Sequence, residues 1–290
     1  MAGVIDLVGN TPLVEIQRLN LNPNVKVFAK LEGNNPGGSV KDRPALNMIK
    51  SALERGDIKA GTKLIEATSG NTGIALAMIA RLFDLEIELV LPANSTKERT
   101  LTMEAFGAKV TLLDGIEACR DYAEEKGASG DYFLLNQFAN PDNYLAHYKT
   151  TAPEIWRDTN QEITHFVSAM GTTGTIMGAS MFLKERNPSI QIVGCQPTEE
   201  SSIPGIRRWP EEYLPKIFDP KRVDRVIDIS QADATEMTRK LAKVEGIFAG
   251  MSSGGAAYAA LKVASELENG VVVFIVCDRG DRYLSSDLFG

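Results

Sequence analysis

Histidine is scarce: in 290 residues only His147 and His165 carry an imidazole. That weighs against histidine-ligated metals and against Ser-His-Asp chemistry, both of which need imidazoles placed among other reactive groups. Cysteine is scarce as well. Cys119, Cys195 and Cys277 are odd in number and have no close pair, so neither a disulfide framework nor a CxxC metal site is expected, and a reducing cytoplasm suits them. No apolar run approaches the roughly 18 residues of a membrane helix, and 271–277 is among the longest. The opening MAGVIDLVGNTPLV lacks the charged start and apolar core of a secretory signal. The net charge of −7 leaves no basic footprint for nucleic acid over the chain as a whole. Small molecules remain the expected partners, small anions among them, because local backbone donors bind anions whatever the net charge.

What is present is an alternation of short β-rich runs with helical stretches. Strands are expected at 25–31, 63–67, 87–91, 109–113 and 132–135, and helices at 42–55, 74–83, 96–106 and 116–126. The second half repeats the theme, with helices at 143–159, from GTTGT to 186, at 231–245 and at 253–267, and strands at 165–170, 190–196 and 271–277. Short apolar runs between turn residues suit buried parallel strands, and the longer stretches of 3.6 period suit covering helices. The expectation is an α/β protein with twisted, mostly parallel sheets, and too many strands for one small sheet. A long irregular stretch, 199–219, is rich in proline, arginine and aromatics, and loops of that length commonly serve as lids or binding loops.

Five segments at strand ends have the composition of ligand loops. In Gly37-Gly38-Ser39-Val40-Lys41-Asp42-Arg43 a lysine follows a glycine turn at a helix start. Partial positive charge there, with desolvation, would lower its pKa and suit it to bond an aldehyde cofactor; a solvated lysine beside a helix cap is the bland alternative. Thr68-Ser69-Gly70-Asn71-Thr72-Gly73 joins a strand to a helix and can cradle a carboxylate or phosphate, or simply cap the helix. Gly171-Thr172-Thr173-Gly174-Thr175 has two glycines and three hydroxyls but no lysine, so it suits one phosphate monoester better than a P-loop or a dinucleotide site. Gly250 to Gly255 could frame a flat ring or serve close packing, and Cys277-Asp278-Arg279-Gly280-Asp281-Arg282-Tyr283 ends a buried strand, where ligands of open α/β sheets sit.

Taken in order, with Val8-Gly9-Asn10-Thr11-Pro12-Leu13 ahead of them, these segments resemble the β-family (fold-type II) of pyridoxal-phosphate enzymes, and within it the cysteine synthases. Asn34-Asn35-Pro36, Asn136-Gln137-Phe138 and the run from Ser201 to Pro210 are similar to the B form of those synthases. The resemblance implies two three-layer α/β domains, a smaller one at 36–143 and a larger, cofactor-binding one from 1–35 with 144–290. It implies pyridoxal 5'-phosphate held covalently by Lys41, with Gly171, Thr172, Thr173, Gly174 and Thr175 on its phosphate. Asn71 would meet its 3-hydroxyl oxygen, and Cys277 would stand near its ring nitrogen, with Asp278 as the alternative. Thr68, Ser69, Gly70, Thr72 and Gln137 would bind the substrate carboxylate. The reaction implied is replacement of the β-substituent of O-acetylserine or O-phosphoserine by sulfide or thiosulfate in a homodimer, with no metal. Arg207 and Arg208 are either a solvated loop or a cationic rim for anionic sulfur donors. Rival readings are a cystathionine β-synthase-like enzyme, a serine/threonine dehydratase, and a non-catalytic ligand-binding protein of the same fold.

Overall fold

The computed structural model describes residues 3–68 and 70–290. The first half runs β1 (Leu13–Glu15), β2 (Val25–Leu31), α1 (Asp42–Arg55), β3 (Lys63–Ala67), α2 (Asn71–Leu82), β4 (Glu86–Pro92), α3 (Lys97–Ala105), β5 (Lys109–Leu113), α4 (Gly115–Ala128) and β6 (Phe133–Leu134). The second runs α5 (Pro141–Ala146), α6 (Ala152–Asp158), β7 (His165–Ala169), α7 (Gly174–Arg186), β8 (Gln191–Pro197), β9 (Arg225–Ile229), α8 (Gln231–Lys240), α9 (Met251–Glu266) and β10 (Gly270–Val276). Two sheets result, one ordered β1-β2-β10-β7-β8-β9 and one ordered β5-β4-β3-β6. Every pairing is parallel except that of β1 with β2. The α/β class with mostly parallel sheets is thus as the sequence predicts.

The layering follows from the period of two along a strand. In β10, Val272, Phe274 and Val276 pack into one cluster with Val27 and the alanines of α9. Val273 and Ile275 point the other way, to Phe166, Ile176 and Leu183. A strand that is apolar on both faces therefore has helices on both sides, and each large side chain buried there contributes about 1.5–3 kcal/mol. The smaller sheet divides the same way, with Leu64 and Leu89 toward α1 and α2, and Ile65 and Val90 toward Cys119 and Ala123 of α4.

Three features depart from the sequence expectation. The helix expected at 143–159 has a π-helical turn, His147–Thr151, between α5 and α6. Pro153 stands just beyond that turn and has no N–H for an ordinary helical bond, and a widened turn accommodates it. The helix expected at 231–245 likewise widens at Leu241–Glu245 before Gly246 ends it with φ 73°. Strands β1 and β9 carry too little apolar signal to stand out, since β1 has three residues and β9 turns only Ile227 and Ile229 inward.

Candidate active site

The carboxyl ends of β3, β4, β7 and β10 lead into a cavity of about 210 Å³, lined among others by Lys41, Thr68, Asn71, Gln137, Thr172 and Arg207. The lysine reaches it from a pinned loop. The Val40 N–H donates to Cys277 O at 2.8 Å, and Ser39 forms an isolated bridge with Asp278, so the loop before α1 is fastened to the end of β10. Among the described residues the Lys41 amine has no hydrogen bond or ion pair. Burial lowers its pKa, and the nearby Cys277 and Asp278 only partly oppose that. Such an amine is more readily neutral, and so more nucleophilic, than a solvated lysine.

Behind it a buried ionic cluster fixes the first turn of α1. Arg43 Nε meets Glu32 at 2.7 Å, and its two terminal nitrogens each meet Glu154 at 2.8 Å. Lys30, fully buried, adds 2.8 Å to Glu154 and donates to Thr11 O at 2.7 Å. Burial works against the Glu154 charge, but Arg43 and Lys30 outweigh it and hold that carboxyl down at about 2.

The GTTGT loop lies at the N-terminus of α7, where helical N–H groups and the macrodipole favour an anion. Thr173 takes the left-handed conformation, φ 70°, and its buried hydroxyl has no partner among the described residues. The loop is packed tightly. A Cβ at Gly171 would lie 2.8 Å from Gly205 O, and one at Gly174 would collide with Asn143. Asn143 also donates to Thr172 Oγ1 at 3.2 Å, and Thr175 Oγ1 lies 3.3 Å from His147 Nε2. Burial, with the charges of Lys41 and Arg43, pushes the His147 pKa well below its ordinary value and keeps the ring neutral.

Opposite, Thr68 Oγ1 accepts from the N–H groups of Gly70 and Gly73 at 3.1 and 3.2 Å, which leaves its own O–H to donate. Gly70 at φ 151° brings the backbone against Arg99, whose side chain a Cβ there would meet at 2.8 Å. Thr72 donates to Gln137 Oε1 at 2.9 Å, and Gln137 Nε2 donates to Ala67 O at 2.7 Å, so the glutamine bridges β3 and α2. Ser69 lies outside the described residues.

The structure separates the two rim arginines. Arg207 lines the cavity, and burial lowers its pKa. Arg208 turns to the surface, where it donates to Pro197 O at 3.0 Å and pairs with Asp228 at 2.7 Å. Cys277 and Asp278 are separated too. Burial pushes the Cys277 thiol up to about 11, so it is neutral at ordinary pH. Asp278 Oδ2 accepts from Asn71 at 2.7 Å and from Tyr283 at 2.5 Å.

Some lining residues lie outside the five glycine-rich or strand-end segments, although Trp209 falls in the 199–219 loop. Trp209 closes over the GTTGT loop by donating to Gly171 O at 2.7 Å, and Asn94, Ser95 and Arg99 follow the end of β4. The rule that ligands sit at the carboxyl ends of parallel strands points to that segment, although it has no glycine signature.

A protein-family model described as pyridoxal-phosphate dependent enzyme matches residues 4–278, and the chain belongs to that family. It is 58% identical over 289 residues to the cysteine synthase B of Pseudomonas aeruginosa, covering 99% of this chain and 97% of that one. It is 56% identical over 293 residues to the cysteine synthase B of Escherichia coli, covering 100% of this chain and 97% of that one. The crystal structure of cysteine synthase from Entamoeba histolytica superposes with a TM-score of 0.93 at 37% identity, covering 100% of this chain and 90% of that one. The residues present are of a kind that fits the family's cofactor: among the described residues neither the amine of the buried Lys41 nor the buried Thr173 hydroxyl at a helix N-terminus has a partner, so one is free for an aldehyde and the other for a phosphate.

Proposed function

We propose that the protein is a cysteine synthase that exchanges the β-substituent of an activated L-serine for a sulfur nucleophile, giving L-cysteine from sulfide and S-sulfocysteine from thiosulfate. The observation that carries this reading is the Lys41 amine, without a partner among the described residues, in a cavity flanked by two loops suited to anions, one after β3 and one after β7.

Gly171 to Thr175 would hold the phosphate, Asn71 would donate to the phenolic oxygen of the ring, and the neutral Cys277 thiol, rather than Asp278, would stand at the ring nitrogen. Bound pyridoxal phosphate supplies the electron sink that lets an α-proton leave. A neutral partner leaves that sink moderate, which suits β-elimination. Thr68, Gly70, Thr72 and Gln137 orient the substrate carboxylate, with Ser69 assigned there by sequence alone. Lys41 takes the α-proton and later returns it. Arg207 faces the anionic donor, while Arg208 belongs to the surface. The 199–219 segment, through Trp209, closes the cavity to water, and the region 36–143 acts as the smaller of two domains. We assign the chain to a homodimer on its resemblance, and to the cytoplasm on its free thiols.

The test is product analysis. The holoprotein with O-acetylserine and sulfide is expected to release L-cysteine with ping-pong kinetics, and Lys41→Ala to lose at least about a thousandfold in kcat, since it removes both the anchoring and the proton-transfer group. Turnover by Lys41→Ala near the wild-type rate would sink the assignment.

A further inference from the structure

Asn71 opens α2 and lines the cavity beside Lys41, and its amide is held on both sides by groups that admit one orientation. Its Oδ1 accepts from Arg282 Nη1 at 2.6 Å, and its Nδ2 donates to Asp278 Oδ2 at 2.7 Å. Arginine can only donate and a carboxylate can only accept, so the two ends of the amide are told apart by chemistry. A flipped amide would set N–H against guanidinium and oxygen against carboxylate. Asp278 is itself fully buried and steadied by the Tyr283 hydroxyl at 2.5 Å. Arg282 has a second anchor, since its Nη2 donates to Gly37 O in the loop that leads to Lys41.

We propose that Arg282 and Asp278 are positioning residues that lock the Asn71 amide so that its remaining N–H, never its carbonyl, serves the ligand in the cavity. Neither lines the cavity. The wall at Asn71 thereby becomes a donor to an anionic oxygen, which is the phenolic oxygen of the cofactor on the function proposed above, and the inference rests on that reading. The three-residue chain from Asp278 through Asn71 to Arg282 also joins the end of β10 to the start of α2. The amide is thus aligned with the same backbone that fixes Lys41.

A double-mutant cycle on the holoenzyme separates this role from a general structural one. Its readouts are the cofactor's visible spectrum, which reports the charge state of the phenolic oxygen, and the cofactor dissociation constant, with circular dichroism to confirm folding. Arg282→Met is expected to shift the spectrum in the same direction as Asn71→Ala and to weaken cofactor binding about tenfold, the loss of one charge-assisted hydrogen bond. In the Asn71→Ala background the same change is expected to add less than about twofold. Arg282→Lys, which still offers only donors to Oδ1, is expected to keep the wild-type band and serves if the methionine variant does not fold. A shifted Asn71→Ala spectrum beside an unshifted Arg282→Met one, or effects that simply add, overturns the inference alone. An Asn71→Ala spectrum identical to the wild type removes the reading beneath it, and the inference falls with it.

Discussion

Thr173 and Arg207 show most directly how single side chains divide the work of the site. Thr173 has a buried hydroxyl with no described partner, and a buried hydroxyl without one costs roughly 1–3 kcal/mol. Thr173→Ala should therefore stabilise the apoprotein or leave it unchanged, while weakening pyridoxal-phosphate binding about tenfold in a fluorescence titration. Tighter binding by the variant would contradict the phosphate assignment. Arg207 and Arg208 are adjacent in sequence, and only the backbone shows that one faces the cavity and the other Asp228. Arg207→Ala is expected to cut kcat/KM for thiosulfate about tenfold and to spare sulfide, whereas Arg208→Ala should leave both within about twofold. Equal losses in the two variants would put the cationic rim elsewhere.

Glu66 matters for stability at the same scale. It is buried on β3, its Oε1 accepts from the Gln137 N–H at 3.3 Å, and its Oε2 has no partner among the described residues. Burial pushes its carboxyl up to about 8 from an ordinary 4.5. A folded-state pKa above the unfolded one means that the folded state holds its proton longer. The stabilising contribution is complete below about pH 4.5 and is lost as pH rises through about 8. Asp42, raised by burial to about 7, acts in the same sense. Thermal melts of the wild type and Glu66→Gln between pH 5 and 8.5 should therefore diverge, the wild type losing stability relative to the variant as pH rises, while the lowered pKa of His147 acts in the opposite sense below about pH 6.5 in both. A slope unchanged by that substitution would show that the carboxyl is not protonated in the fold.

At the scale of elements, α1 is held at the end next to Lys41 by ions and along its body by packing. Arg43, Glu32, Glu154 and Lys30 draw α1, β2 and α6 together directly behind Lys41. Removing one partner leaves a buried charge unpaired, so Arg43→Met is expected to cost about 3–5 kcal/mol in urea unfolding. A cost below about 1 kcal/mol would mean that solvent or rearrangement reaches the cluster. The cluster is not legible in the sequence as a cluster, because Glu154 lies more than a hundred residues from the other three and each member reads alone as an ordinary surface charge. The buried strands are legible, since an uninterrupted apolar run as short as 271–277 is too brief for a covering helix and too apolar for a loop. The π-helical turn at His147–Thr151 is not, because it depends on how Pro153 is absorbed within a helix whose periodicity looks unbroken.

Over the whole molecule, the two sheets bring together loops that the sequence presents as separate strand-to-helix turns. Lys41, the 68–72 segment and GTTGT are recognisable one by one, because glycines and hydroxyls at strand ends have a physical use. Their convergence needs the topology: β2, β10, β7 and β8 lie side by side in one sheet and β3 and β4 in the other, so that their carboxyl ends open on one cavity. Trp209 is legible only as part of the 199–219 loop, and Arg99 gives no sign of itself because a far-wall residue obeys no local pattern. On the function proposed above, this cavity would carry pyridoxal phosphate on Lys41 and use it on an activated serine. The most direct measurement is the visible absorption spectrum of the holoprotein, taken alone, after O-acetylserine, and after sulfide or thiosulfate. On that function, a visible band that changes on adding O-acetylserine and returns when the sulfur donor is supplied is expected. A band indifferent to O-acetylserine, or one that changes and does not recover with either donor, would contradict it.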